Sequence, residues 1–431
     1  MSPRLLGLAL AALTACITPL AHVPHAEYQV HGSFAPGFED VWFEFRRNFV
    51  ERGEAGAALA VYYRGEKVVD LWGGFRDAAH RIPWQRDTMV VVYSTTKGMA
   101  ALALALAHAR GWLDYDAPVA RYWPEFAARG KQGITVRQLL AHQAGLVVLD
   151  DPLSVARMRD LDAVARVLAA QRPAWRPGTT HGYHASTIGM YMNELLRRVD
   201  PRHRSLGRFF HEEIAVPLGL DFYIGLPDDV PDARLAHVET LSALGGLGNL
   251  GKLPFGMARE VLWPWSLFNR SLAIPRGYDP NRRASLAIEL PSGNGVGTAR
   301  ALARAYSELA TGGHTLGLDA ATLAALFAPP VDPPAGARDR VMGIPTWFSL
   351  GFWKPSPGLD FGSSRRAIGS SGAGGSFAYA DPDRQLGYAY VMNRMDYYVH
   401  DPREVALRRA VVRCIDRLER AERRRGVTSR R

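Results

Sequence analysis

A serine and a lysine three residues apart are the residues of this chain best suited to chemistry. They lie in the run Val92-Tyr93-Ser94-Thr95-Thr96-Lys97-Gly98, and of the chain's five lysines only Lys97 has a serine three positions before it. A serine hydroxyl attacks a carbonyl at neutral pH when a neighbouring base takes its proton. A lysine is such a base if burial or nearby cations lower its pKa and leave it neutral. The spacing predicts a nucleophile and its base on one face of a helix start.

Hydrophobic patterning indicates the elements that position this pair. Residues 37–51 have helical apolar spacing, residues 57–63 and 67–72 read as strands around a hairpin turn, and residues 97–109 read as a buried helix. Residues 110–290 are mainly helical patterns, with an apolar loop or lid at 244–275. Further elements are expected as a helix at 298–310, strands at 347–353, 376–380 and 386–392, and a helix at 402–424. This order predicts an α/β protein whose sheet is built from both chain ends, with an inserted mainly helical domain.

Composition and charge limit the classes of binding partner that we expect. The 431 residues are 47% hydrophobic and 22% charged, which is typical of a globular protein with a large core. The net charge of +10 comes mostly from arginines spread along the chain, with one cluster at the C-terminus. No nucleic-acid-binding motif and no metal-ligand spacing of histidines is present. We therefore expect no nucleic-acid partner, no metal and no cofactor.

The N-terminus has the pattern of an export signal. Arg4 precedes a short apolar run over residues 5–13, and Cys16 follows in Leu13-Thr14-Ala15-Cys16. We expect a signal peptide over residues 1–26, and an exported protein that is either periplasmic or a membrane-anchored bacterial lipoprotein. Lipidation of Cys16 would attach the protein to a membrane surface. The alternative is an ordinary cleaved signal with an incidental cysteine.

Six ordered blocks together resemble the serine β-lactamase and penicillin-binding-protein superfamily, specifically its class C-like family VIII carboxylesterase branch. The resemblance covers roughly residues 35–420. The blocks are Ser94-Thr95-Thr96-Lys97, Gly111-Trp112-Leu113-Asp114, Leu139-Leu140-Ala141-His142-Gln143-Ala144-Gly145-Leu146, Pro177-Gly178-Thr179 leading to Tyr183, Asn294-Gly295-Val296-Gly297-Thr298-Ala299, and Gly372-Ala373-Gly374-Gly375-Ser376.

The resemblance implies a fold and a set of roles. The fold is β-lactamase/transpeptidase-like, with an antiparallel sheet flanked by helices. The hydrolase domain is expected over residues 33–425. Its α/β part is about 33–95 and 300–425, its helical part is about 97–298, and a basic tail follows at 426–431. Ser94 would form an acyl-enzyme. Lys97 and Tyr183, a phenol acidified by the nearby ammonium, would share the base role. The backbone N–H groups of Ser94 and Ala373 would form the oxyanion hole.

Two departures from the family pattern bear on the substrate. Ala185 stands where relatives carry a polar residue two positions beyond the tyrosine, and Ser370 stands where the third motif begins with lysine or histidine. Ala185 removes an amide-binding contact, and Ser370 removes the cation that helps to hold a substrate carboxylate in β-lactam-processing relatives. Both changes argue against strong β-lactam or peptidoglycan recognition and favour uncharged esters, and they leave room for a weakened enzyme. The expected substrate-binding residues are His184, Ser370, Ser371 and Gly372.

Other interpretations remain open at this stage. Ser94 could cap a helix, Tyr183 could be an ordinary buried tyrosine, and His142 is expected to be structural. Residues Trp263, Trp265 and Phe268 either line an acyl pocket or pack in the core. The function predicted is an exported serine hydrolase acting on a small-molecule carboxylic ester. The alternatives are a β-lactamase or D-Ala-D-Ala carboxypeptidase, and a catalytically weakened envelope binding protein. The sequence does not indicate the oligomeric state.

Overall fold

The computed structural model describes residues 28–241, 248–272 and 274–428, with side chains as far as residue 424. The expected signal peptide and Cys16 lie outside the described residues, as do the side chains of the expected basic tail. Strands β1–β12 are Val30–Phe34, Gly56–Tyr63, Glu66–Asp77, Ile82–Pro83, Val90–Val91, Phe222–Tyr223, Val296–Gly297, Trp347–Ser349, Phe352–Lys354, Ile368–Ser371, Phe377–Asp381 and Leu386–Met392.

The helices are mostly in the middle of the chain and at its C-terminal end. Helices α1–α13 are Glu39–Glu51, Thr96–Ala109, Val136–Leu140, Leu161–Ala170, Thr187–Val199, Leu206–Phe210, Val216–Leu218, Phe255–Leu262, Leu267–Ser271, Arg283–Leu286, Ala299–Ala310, Ala320–Phe327 and Pro402–Thr428.

The main sheet joins both ends of the chain, as expected. In the described part of the chain its strand order is β1-β3-β2-β12-β11-β10-β9-β8, with β4 added beside β3. The N-terminal hairpin β2–β3 meets the C-terminal strands through the antiparallel pair β2–β12. A smaller sheet has the strand order β5-β7-β6, and its strand β5 ends just before the predicted nucleophile.

The two faces of the sheet bury side chains of different size. On β2, Leu59, Val61 and Tyr63 belong to one core cluster while Ala58 and Ala60 belong to the other, as the two-residue period of a strand requires. The large-residue face packs under α1 and α13. The small-residue face lets α11 approach closely: a Cβ on Gly387 of β12 would stand 2.4 Å from the Ser307 nitrogen of α11. The residue sizes therefore fix which helix covers which face.

Helix α2 runs through the centre of the protein. Residues 96–107 are all buried, so this helix is apolar on every side, as expected from its run of alanine and leucine. Gly98 in its first turn faces Tyr306 of α11, whose hydroxyl would stand 1.9 Å from an added Cβ. Close packing on α11 thus fixes the helix whose first turn carries Lys97.

Two sequence expectations need correction. Residues 347–353 form not one strand but the hairpin β8–β9, because Leu350 adopts a left-handed conformation (φ 48°) that reverses the chain. The 244–275 segment is not a loop throughout, since the described part of it contains α8 and α9.

Three of the five lysines are buried: Lys97, Lys131 and Lys354. Each directs its amine at backbone carbonyl oxygens. The amine of Lys131 lies 2.7–2.8 Å from three of them, and burial lowers the pKa of Lys131 to about 8. Burial likewise lowers the pKa of Lys354 to about 7.

Candidate active site

Ser94 lies in a 3-10 turn, Tyr93–Thr95, that leads directly into α2. The preceding Tyr93 has φ of 47°, a left-handed conformation that a non-glycine residue adopts only when its surroundings enforce it. Here the smaller sheet does so: β5 pairs with β7, and the Val92 N–H donates to the Gly295 carbonyl at 2.9 Å. The Ser94 side chain caps no helix, because α2 has Thr95 as its N-cap and no side-chain capping bond.

Lys97 lies beside the Ser94 hydroxyl. Its Nζ is 2.9 Å from Ser94 Oγ and 2.7 Å from each of two backbone carbonyl oxygens, those of Ala185 and Ser292. The side chain is 1% exposed, and burial holds the pKa of Lys97 well below its usual 10.5. In the neutral amine, two N–H bonds satisfy the two carbonyls and the lone pair is left facing the serine. Lys97 Nζ is thus within hydrogen-bonding distance of the Ser94 hydroxyl, and its other two contacts are with backbone carbonyl oxygens.

The two carbonyl oxygens come from loops that are tied together. The Ser292 hydroxyl donates to the Ser186 carbonyl, one residue beyond Ala185. The buried Asn294 side chain then holds the 285–292 loop, accepting from the Leu290 N–H and donating to the Ile288 carbonyl. Sequence reasoning noticed Asn294 but missed Ser292. Its contribution to Lys97 is a backbone carbonyl, which no residue type reveals.

Tyr183 reaches the same centre. Its ring centroid is 4.9 Å from Lys97 Nζ, and its hydroxyl interacts with Ser94. The Tyr183 N–H is held by the buried carboxylate of Asp339, at 3.0 and 3.2 Å from its two oxygens. Asp339 also accepts the N–H groups of Val341 and Met342 at 2.8 Å. The sequence analysis missed Asp339, which lies more than 150 residues from Tyr183 and in none of the recognised blocks.

The pKa of Tyr183 corrects one expectation. Burial raises the pKa of this phenol, and the interactions with Ser94 and Trp353 oppose burial without overcoming it. An uncharged Lys97 also provides no ammonium to acidify the phenol. Burial therefore favours the protonated phenol of Tyr183 over a phenolate.

His184 does not meet the expectation that it binds substrate. It is fully buried; its Nδ1 donates to the Gly182 carbonyl at 2.7 Å and its Nε2 accepts the Leu146 N–H at 2.9 Å. Both ring nitrogens are thus used by backbone groups, one at Gly182 beside Tyr183 in the chain and the other at Leu146. His142 has the expected structural place, since its Nδ1 accepts the His184 N–H at 3.0 Å.

The third motif lies on β10 and the turn that follows it. Ser370 is fully buried and its hydroxyl donates to the Ser94 carbonyl at 2.8 Å, so this side chain braces the nucleophile rather than facing a substrate. Ser371 is half-buried and Ala373 is exposed. Gly372 has no room for a side chain, because a Cβ would stand 2.2 Å from Ser376 Oγ and 2.3 Å from the Val92 oxygen. The strand thus packs directly on the Ser94 turn.

The aromatic residues of the 244–275 segment divide into two groups. Phe268 packs beside Tyr183 against a small apolar cluster made of Val147, Val148, Trp175 and Val341. Trp263 and Trp265 are 63% and 75% exposed, so they do not pack in the core.

Metal-binding groups and membrane-spanning helices were the remaining features to locate in the structure. Within the described ranges, no group of three or more His, Cys, Asp or Glu side chains is placed to hold a metal ion. The helices of these same ranges include none with the length and apolar character needed to cross a bilayer.

Comparison with known proteins gives the family. The sequence profile named Beta-lactamase matches residues 45–413. "Esterase/beta-lactamase LipL" of Mycobacterium tuberculosis is 35% identical over 384 residues, covering 86% of this chain and 85% of that protein. Two crystal structures superpose with TM-scores of 0.78 and cover 90% of this chain and all of theirs. They are a family VIII carboxylesterase at 39% identity and a penicillin-binding protein homologue from Caulobacter crescentus at 37%.

These similarities confirm the expected β-lactamase/transpeptidase-like fold. The profile covers most of the chain, and the proteins similar to it include an esterase/β-lactamase, a further esterase and a structurally similar family VIII carboxylesterase. The chain belongs to the beta-lactamase family and is a serine hydrolase.

Proposed function

We propose that this protein is an exported esterase that cleaves uncharged carboxylic esters through an acyl-enzyme on Ser94. The observation that carries the proposal is the environment of Lys97: a buried amine with two carbonyl acceptors and the Ser94 hydroxyl around it. Burial disfavours the charged form of this amine, so the neutral form is favoured at neutral pH. This is the protonation state that a general base requires.

The first chemical step joins Ser94 to the substrate. Ser94 Oγ attacks the ester carbonyl carbon while its proton moves to Lys97, which becomes an ammonium. The carbonyl oxygen takes the negative charge and accepts the N–H groups of Ser94 and Ala373. The tight packing of Gly372 against the Val92 oxygen supports this pairing, since it holds the segment before Ala373 beside the Ser94 turn.

The second step releases the alcohol. As the carbon–oxygen bond breaks, the departing alkoxide takes the proton of Tyr183, whose phenol burial keeps protonated. The Lys97 ammonium then restores the Tyr183 proton and returns to its neutral form. Water subsequently attacks the acyl-enzyme and gives the acid.

The lining of the site favours an uncharged substrate. Ser370 is used by the Ser94 carbonyl, and Ala185 has no polar side chain. Neither nearby arginine takes the place of the missing third-motif cation: Arg365 stacks on Trp347, and Arg366 pairs with Asp383 at 2.6 Å. The apolar cluster beside Tyr183 suits a hydrocarbon acyl group. An ester carrying a carboxylate gains nothing from these residues.

β-Lactam hydrolysis is the second candidate. It is favoured by the LipL relative, whose name includes both activities, and it uses the same acyl-enzyme chemistry. If the kcat/KM for a chromogenic cephalosporin exceeds that for an alkyl ester, β-lactam hydrolysis becomes the favoured function. A binding protein without turnover is disfavoured by the complete Ser94, Lys97 and Tyr183 set.

The test combines a covalent probe with turnover. A fluorophosphonate should label the wild type and the S33A control, which alters an exposed serine on β1, but not S94A. Intact-mass measurement during p-nitrophenyl butyrate hydrolysis should show a transient butyryl adduct. Labelling of S94A, or no adduct and no nitrophenol from folded protein, contradicts the proposal.

Export is a separate part of the proposal and rests on the N-terminal sequence. In a bacterial host, the full chain should appear in the envelope fraction. C16S should move it from the membrane to the soluble envelope fraction if Cys16 is lipidated. Full-length protein that stays in the cytoplasm contradicts export.

A further inference from the structure

Trp353 has a buried N–H group that makes no hydrogen bond of normal geometry within the described part of the chain. The residue lies on β9 and is 5% exposed. Buried indole N–H groups usually have a partner, and one without costs free energy. A functional site is one place where such a cost is retained.

The indole lies against the catalytic tyrosine. The Trp353 and Tyr183 ring centroids are 5.5 Å apart at 47°, and Phe348 packs against both rings. The indole N–H is close enough to the Tyr183 hydroxyl to lower the pKa of that phenol. A hydrogen-bond donor has this effect because it stabilises the charged oxygen. Catalytic hydrogen bonds are often poorly aligned in a free enzyme and tighten as the reaction proceeds.

The place of Trp353 in the sheet explains why a donor is needed here. Trp353 pairs with Gly369 on β10, one residue before Ser370. Ser370 stands where a lysine or histidine begins the third motif in relatives, and its hydroxyl is turned to the Ser94 carbonyl. β10 therefore presents no cation to the Tyr183 oxygen, whereas the neighbouring strand presents an N–H.

We propose that the Trp353 indole N–H donates to the Tyr183 oxygen while the tyrosine proton moves to the departing alkoxide. This inference rests on the proposed ester hydrolysis. The Tyr183 O–H bond breaks, the alkoxide gains the proton, and negative charge appears on the phenolic oxygen. Trp353 stabilises that charge with a charge-assisted hydrogen bond until the Lys97 ammonium returns a proton. No proton leaves Trp353 at any point.

The proposed mechanism predicts that the loss of kcat/KM on removing the indole N–H depends on the leaving group. An ethoxide must be protonated as it departs, so its release uses Tyr183 and Trp353. A p-nitrophenolate leaves without a proton. We therefore compare kcat/KM for ethyl butyrate and p-nitrophenyl butyrate, because this constant reports the steps through acylation and both esters share one acyl group.

W353F keeps an aromatic ring and removes the N–H. It should lose roughly ten- to hundredfold in kcat/KM on ethyl butyrate, the range for a hydrogen bond to a charged group, and less than about twofold on the nitrophenyl ester. The control W347F alters the indole of β8, which donates to Asp332 at 2.8 Å, and should leave both constants unchanged. In Y183F, adding W353F should cost nothing further on ethyl butyrate.

A second variant guards against misfolding of W353F. Benzothienylalanine at position 353 preserves the shape of the indole and replaces N–H by sulfur, and it should reproduce the selective loss. Equal losses on the two esters, or no loss on ethyl butyrate, overturn the inference while ester hydrolysis itself stands. Wild-type protein that hydrolyses neither ester overturns the proposed function and this inference with it.

Discussion

Replacing Asp339 by asparagine tests how Tyr183 is held. In the wild type, Asp339 Oδ1 accepts the N–H groups of Val341 and Met342, and Oδ2 lies 3.0 Å from the Tyr183 nitrogen and 3.0 Å from Thr346 Oγ1. An asparagine whose oxygen stays at the Oδ1 position keeps the Val341 and Met342 bonds. Its NH₂ group then faces the Tyr183 N–H, donor against donor, and leaves that N–H only the longer 3.2 Å contact with the oxygen at the Oδ1 position, while the Thr346 hydroxyl can turn and accept. The substitution therefore acts mainly on Tyr183.

The magnitude follows from the bond that is lost. A hydrogen bond to a charged group contributes about 1.5–3 kcal/mol. We expect D339N to lower the free energy of unfolding by about 2 kcal/mol, measured by urea denaturation with an unchanged m-value. If the same bond positions Tyr183, kcat/KM on an alkyl ester falls by roughly tenfold or more, because about 1.4 kcal/mol of barrier corresponds to a factor of ten.

The matched control is D381N. Asp381 is also a buried carboxylate that accepts backbone N–H groups, those of Ser363 and Asp383, but it lies at the end of β11. It should lose comparable stability and retain kcat/KM. If the two variants lose stability equally and both retain activity, Asp339 supports the fold only and the reasoning about Tyr183 is refuted.

Three further predictions concern protonation and packing. Ester hydrolysis should fall on acidification as Lys97 takes up a proton, and K97M should be inactive at every pH; a flat wild-type profile from about pH 5 to 9, with chemistry rate-limiting, contradicts Lys97 as the base. G372A should reduce kcat/KM by roughly a hundredfold, the scale of one lost oxyanion donor, because its Cβ collides with the Val92 oxygen. The control G133A, whose Cβ meets no atom within 4 Å, should keep its activity. Equal activity of the two variants excludes the packing argument. The pKa of Lys354 is about 7 in the folded chain and about 10.4 in the unfolded chain. Between about pH 7 and about pH 10.4 the folded chain therefore binds fewer protons, so the free energy of unfolding should rise with pH, and this contribution should vanish in K354M but not in K252M. Identical slopes of unfolding free energy against pH in the wild type and K354M would show that the amine is not neutral.

The sequence predicted β2, β3, β11 and β12 well because their patterns are local, whereas it did not predict β1 or β10. The alternation of large and small residues on β2 indicates a strand buried on both faces, and the structure places those faces under different helices. Ser94 and Lys97 were recognisable for the same reason: three residues on a helix start set their geometry.

The rest of the site depends on long-range contacts that residue types do not reveal. Ser292 contributes a main-chain oxygen, and Asp339 resembles any other aspartate until Tyr183 folds against it. His184 looked like a cleft residue from its place beside Tyr183. Its side chain instead turns into the core, where two backbone groups need partners. Adjacency to Tyr183 along the chain therefore does not decide where the His184 side chain points.

The burial of three lysines makes primary amines scarce on the surface of this chain. Among lysines, an amine-reactive ester or crosslinker reaches Lys67 and Lys252, which are about one-third exposed and paired with Asp70 and Asp396. Lys97, Lys131 and Lys354 react only when the surrounding backbone opens. The acylation rate at each of them therefore measures a local opening free energy, at the catalytic centre for Lys97 and at two sites far from it in sequence. One mass-spectrometric time course would compare the stability of these three regions in the unlabelled wild-type protein.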